Sequence, residues 1–97
     1  MFPDVYIEVR FRTTEEGGLQ TAICGNYYAC PMFIDGDGFD CQLLISGMEL
    51  ALGASYKVPV KFLNRELVIF RLAVGKAVIL WEGKDIADGK ILEVVNF

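Results

Sequence analysis

The stretch from Asp4 to Thr13 alternates without a break. Val5, Ile7, Val9 and Phe11 take every second position, with Tyr6, Glu8, Arg10 and Arg12 between them. Residues two apart share one face of a strand but lie almost opposite each other on a helix, so the pattern specifies an extended segment over a core. One such strand cannot bury its apolar face alone, and the rest of the chain must supply the partners.

Further strands follow, separated by glycine-rich breaks. Glu15-Glu16-Gly17-Gly18 ends the first strand, Leu19–Cys24 reads as an extended segment, and Gly25-Asn26 is a turn signal. Tyr28–Ile34 and Phe39–Ile45 read as strands around a hairpin turn in Asp35-Gly36-Asp37-Gly38. Met48–Leu52 has the character of a single helical turn. Tyr56–Phe62 alternates again, and Pro59, which lacks an N–H, should sit at an edge or face outward. Leu67–Val74 is apolar apart from Arg71. Periodicity does not separate a buried strand from a helical turn there, but Val68, Ile69 and Phe70 favour a strand. Ala77–Trp81 is a short apolar strand that stops at Glu82-Gly83-Lys84-Asp85, and Lys90–Val95 closes the chain after Asp88-Gly89. Six or seven short strands with a turn signal about every ten residues predict a small closed barrel or a sandwich.

The chain has 97 residues, enough for a single domain over 1–97, and its 54% hydrophobic content excludes intrinsic disorder. It contains no histidine, which excludes a Ser-His-Asp triad, a Cys-His pair and an imidazole metal site. Together with the absence of a nucleophile–base pair, this predicts a protein that is not an enzyme and needs no cofactor or metal. A formal net charge of −4 argues against holding nucleic acid by charge alone. The charged start and polar interruptions such as Gln20, Asn26 and Pro31 predict no leader or membrane span, and a cytoplasmic protein. Three cysteines (Cys24, Cys30 and Cys41) without C-x-x-C spacing read as buried, reduced thiols.

Motifs resolve into ordinary structure. Asp35, Asp37 and Asp40 hint at a calcium loop, but Phe39 and Ser46 stand at positions five and twelve, where that loop needs oxygen ligands. Glu15 and Glu16 lie in an exposed turn, where nothing desolvates them for acid–base work. No glycine pattern forms a phosphate cradle. Tyr27, Tyr28, Arg71 and Trp81 are the candidate partner-contact residues. At least one of the two adjacent tyrosines must face inward, and Trp81 ends its strand either as a core rim or as an interface anchor.

The order of these features resembles the C-terminal β-barrel domain of elongation factor Tu. The run Ile-Glu-Val-Arg-Phe-Arg-Thr-Thr-Glu-Glu-Gly-Gly from Ile7 to Gly18 is similar to that family's alternating first strand and its acidic–glycine turn. Gly25-Asn26-Tyr27-Tyr28 corresponds to a Gly-Tyr-Arg-Pro stretch, and Leu52-Gly53 before Tyr56–Phe62 to a Pro-Gly-Asp turn and the strand after it. The segment from Ala77 to Ile91 is similar to the closing hairpin, with its Glu82-Gly83 turn. The resemblance implies an all-β fold: a small closed antiparallel Greek-key-type barrel of six strands, within the six to seven read from the residues. In the family this barrel packs on a GTP-binding domain and a second barrel and helps hold the T-stem of aminoacyl-tRNA. The family's arginine is replaced here by Asn26 or Tyr27 and its His-Pro is absent, so no tRNA-contact residue carries over. The expected function is that of a stand-alone, non-catalytic, protein-binding barrel. It would act as a regulator or neutralising partner, either translation-linked or of the immunity type. The Leu67–Val74 segment would supply contacts to a protein partner or to a second copy in a homodimer. The alternative is a tRNA- or RNA-binding translation accessory protein, which requires a contiguous basic patch.

Overall fold

The computed structural model describes residues 2–95. Its strands are β1 (Val5–Phe11), β2 (Tyr27–Ile34), β3 (Asp37–Leu44), β4 (Ser55–Phe62), β5 (Ala77–Trp81) and β6 (Asp85–Val94). They close into one barrel in the order β1-β4-β3-β2-β5-β6, with every neighbour antiparallel. The long connection from β1 to β2, the β2-β3-β4 meander and the return of β4 beside β1 make a Greek key. The small all-β barrel read from the sequence is the observed fold, with six strands.

Alternation fills the interior. Val5, Ile7, Val9 and Phe11 of β1 are almost wholly buried, as are Met32 and Ile34 of β2, Leu43 of β3, Val58 and Val60 of β4, and Leu80 of β5. Asp35 and Gly36 both adopt positive φ (54° and 84°) between the paired Ile34 and Asp37, which is the twist-matched two-residue hairpin. In β6 the alternation breaks: Ile86 and Ala87 are both buried, because the register slips between Leu80↔Ala87 and Trp81↔Asp85. A second slip lies between Tyr6↔Glu93 and Ile7↔Ile91. Such bulges bend a strand, and they allow β6 to wrap between β5 and β1. Gly89 sits where β6 crosses β1, and a Cβ there would lie 2.2 Å from the Glu8 carbonyl oxygen.

Four segments depart from the sequence reading. Leu19–Cys24 forms no strand, and only Ile23 bridges to Leu50. Met48–Leu52 contains no helix. The final strand begins at Asp85 rather than Lys90, because Asp88 and Gly89 continue it. Leu67–Val74, where β-branched residues favour a strand, is helical instead: a single turn α1 (Arg65–Val68) runs into a 3₁₀ turn (Ile69–Arg71). Six strands already close the barrel, so this segment has no ladder to join, and local hydrogen bonds satisfy its backbone.

Candidate protein-interaction surface

Beyond Phe62 the chain leaves the barrel wall and returns at Ala77. Two apolar and two ionic anchors hold this excursion. Val68 is fully buried and Leu72, four residues on, packs against the core. Arg65 Nε lies 3.2 Å from Asp4 Oδ1. The Arg71 guanidinium donates to Asp37 Oδ2 at 2.7 Å and to the Ile34 carbonyl at 3.4 Å, and lies 5.7 Å over the Phe39 ring. With one helical face so committed, the other turns outward. Leu67 and Phe70, three apart, share it, and Leu63 and Val74 flank them; these four side chains are 65%, 97%, 73% and 70% exposed respectively.

This apolar surface continues into a groove of about 380 Å³ on the outside of β2, β3 and β4, lined by Ala29, Asp40, Gln42, Lys61 and Leu63. Ala29, Gln42 and Lys61 form one cross-strand row, and the small Ala29 leaves the space. A hollow of about 120 Å³ adjoins it between Phe39, Asp40, Asn64 and Leu67. The exposed Asp40 borders both.

The base of the excursion rests on a buried charge. Asp4 is fully buried, accepts a 2.8 Å hydrogen bond from the Phe62 N–H, and lies 3.3 Å from Lys61 Nζ as well as beside Arg65. A carboxylate removed from water requires such partners. They tie the entry to β1, the end of β4 and α1 together.

The candidate contact residues are spread along the barrel. The antiparallel order places the Ile34–Asp37 turn, Arg71 and the excursion at one end, and the start of β2 at the other, about 25 Å away along an eight-residue strand. Arg71 therefore lies beside the apolar face, as a clamp beneath it. Tyr27 and Tyr28 lie at the far end, and Trp81, one position beyond the Met32↔Leu80 pair, lies between the two. Tyr27 is exposed, whereas Tyr28 turns inward, with its ring edge-on to Phe11 at 6.1 Å and its hydroxyl donating to the Glu82 carboxylate. Burial and then Glu82 push the Tyr28 phenol well above its ordinary range. Trp81 is 39% exposed and packs edge-on to Phe33. Sequence reasoning passed over Leu63, although strand alternation after the inward Phe62 directs it outward.

Elsewhere several charged groups are paired along the surface. Glu16 accepts from the Thr13 N–H and lies 3.0 Å from Arg10; those two contacts, in that order, pull its carboxyl below the usual range. Arg12 and Asp88 form a two-point pair, at 2.7 and 2.8 Å, which lowers the Asp88 carboxyl and raises the guanidinium. Cys30 and Cys41 face each other across β2 and β3 and are buried. Cys24, read as buried from the sequence, is exposed. The Cys41 thiol donates to the Cys30 carbonyl at 3.2 Å, and that bond together with burial pushes its pKa up. Among the described residues no helix is long and apolar enough to cross a membrane, and no His, Cys, Asp or Glu cluster is arranged to hold a metal.

In comparison with known proteins, no family model matches the chain and no curated protein matches it.

Proposed function

We propose that this chain is a non-catalytic protein-binding barrel that contacts its partner through the outer face of the excursion between β4 and β5. One observation carries the reading. Leu63, Leu67, Phe70 and Val74 are all held toward solvent, with Leu63 lining the groove and Leu67 the hollow next to it, while Val68, Leu72, Arg65 and Arg71 keep the segment fixed. Contiguous apolar surface of this kind marks interaction sites, and a rigid platform limits the ordering entropy lost on binding. The resemblance to the C-terminal barrel of elongation factor Tu, which itself works by packing on other domains, is consistent with a regulatory or neutralising role. The RNA-binding alternative is disfavoured by the basic residues: six of nine (Arg10, Arg12, Lys61, Arg65, Arg71 and Lys76) are within ion-pair distance of the chain's own carboxylates.

Quantitative affinity capture with wild-type, Phe70→Asp and Tyr27→Ser baits tests the reading. A protein enriched by wild type and Tyr27→Ser but lost with Phe70→Asp supports it. Loss with Tyr27→Ser alone moves the contact to the opposite end, and an identical set from all three baits overturns it.

A further inference from the structure

The charges around the apolar face narrow the class of partner. Asp40, which borders both hollows, and Glu66, four residues before Phe70 on the same helical side, are exposed, and neither has an ion pair or side-chain hydrogen bond among the described residues. The cations on this side are committed to the chain's own carboxylates: Lys61 and Arg65 to Asp4, and Arg71 to Asp37. What the surface offers a visitor is therefore apolar side chains, a groove large enough for one or two more, and uncompensated negative charge.

A second copy of the chain fits this poorly. With about 150–250 Å² for a well-exposed aromatic and less for each aliphatic, the four side chains present on the order of 500 Å². A stable dimer buries about 800 Å² on each partner. A two-fold interface also sets the same patch against itself, so a surface carrying Asp40 and Glu66 would meet an equally acidic one between two chains of net charge −4. An area of this size suits a short segment, and the unpaired carboxylates suit one that carries cations.

Resting on the protein-binding reading above, we infer that the surface takes a basic amphipathic segment. Such a segment would place an aliphatic or aromatic side chain in the groove beside Leu63, set others against Leu67 and Phe70, and bring flanking Lys or Arg to Asp40 and Glu66. The apolar contacts hold the complex, and the charges select the partner and speed its approach.

Fluorescence anisotropy with three labelled synthetic peptides of equal length tests this. One carries leucines at i, i+3, i+4 and i+7 with lysines elsewhere, the second replaces lysine by glutamate, and the third replaces leucine by serine. The expected result is saturable binding of the Leu/Lys peptide alone, weakened at least tenfold by Phe70→Asp. The double variant D40N/E66Q should weaken it several-fold and flatten its salt dependence, whereas Glu15→Gln, a charge loss outside this surface, should leave it unchanged. Circular dichroism of each variant separates loss of binding from loss of fold. Equal effects of Glu15→Gln and D40N/E66Q, binding insensitive to Phe70, or no binding by any peptide overturns the inference. Phe70-dependent binding of the Leu/Glu peptide, of neutral phosphatidylcholine vesicles, or of a second copy in sedimentation also overturns it. The first and last of these would leave the protein-binding reading standing, so the two failures are distinguishable.

Discussion

Replacing Asp4 by Asn tests whether a buried carboxylate holds the proposed interaction platform in place. The change is nearly isosteric and opens no cavity, so its effect isolates charge. Asn can still accept from the Phe62 N–H, now at 2.8 Å from Oδ2, through its amide oxygen. It cannot balance Lys61 at 3.3 Å or Arg65 at 3.2 Å. Removing one member of a fully buried ion pair costs about 3–5 kcal/mol, against about 0–1 kcal/mol for an exposed pair. The Lys61 and Arg65 side chains keep 34% and 28% of their exposure, so both can partly rehydrate and the cost falls between these limits, at about 2 kcal/mol. With a urea slope of about 1 kcal/mol/M, the unfolding midpoint should fall by about 2 M. Amide exchange locates the damage. The Leu67 N–H, bonded to the Asn64 carbonyl, should exchange much faster in the variant, because α1 has lost its ionic anchor while Val68 and Leu72 remain packed. A midpoint shift below about 0.5 M, or unaltered exchange in α1, would show that apolar packing alone fixes the platform and would refute the latch.

Gly89→Ala should destabilise the fold by about 2–3 kcal/mol, the upper part of the overpacking range, because the new methyl meets the Glu8 backbone oxygen and no flexible side chain can yield. Calorimetry should show Tm falling by about 10–20 °C, and an unchanged Tm would mean that the β1–β6 approach is looser than described. Thiol labelling under native conditions should modify Cys24 rapidly and leave Cys30 and Cys41 protected until global unfolding; three equal rates would contradict their burial. The folded Asp88 carboxyl is lowered by Arg12, so its contribution is complete above the ordinary carboxylate range near 4 and is lost as pH falls through the lower folded value. Asp88→Asn should therefore cost under about 1 kcal/mol at neutral pH, the pair being partly exposed, and should make the acid limb of the stability curve shallower. An acid limb identical to wild type would rule out that linkage.

Strand alternation made most of the barrel legible because its period is local. β1 and β4 read directly, and the Asp35-Gly36 turn announced the β2–β3 hairpin. The failures have tertiary causes. Gly89 looks like a break in the sequence, yet it lies inside β6 because the close approach of Glu8 leaves no room for a Cβ. The bulge at Ile86 places two neighbours inward and erases the period-two signal at the start of that strand. In Leu67–Val74, Val68 and Ile69 favour extended backbone, but the ion pairs of Arg65 and Arg71 link this segment to residues far away in sequence, and no local pattern records them. The candidate site was half legible for the same reason. The apolar run pointed to a contact surface, whereas the separation of Tyr27 from Arg71 depends on strand direction around the closed barrel.

On the proposed protein-binding reading, two prolines leave recognition to side chains rather than backbone. A closed barrel has no edge strand, and of the two places expected for Pro59 it takes the outward one, between the buried Val58 and Val60, with its missing N–H still to be accommodated in the ladder. The Asp4 N–H donates to the Val60 carbonyl, so the Val60 backbone faces β1 and that of Pro59 faces β3. On that side the described ladder ends at Leu43↔Val60, one position before Pro59. Pro31 repeats the device. Counting back from the two-residue hairpin, its nitrogen faces β5, where pairing ends at Met32↔Leu80. The barrel is thinnest at these two seams, and at each the first position beyond the ladder offers no N–H to an incoming strand. Strand addition is thereby blocked where it would otherwise begin. An encounter with another protein is left to outward side chains, and the largest apolar set among them is held on the excursion that Asp4 and Asp37 clamp to the wall.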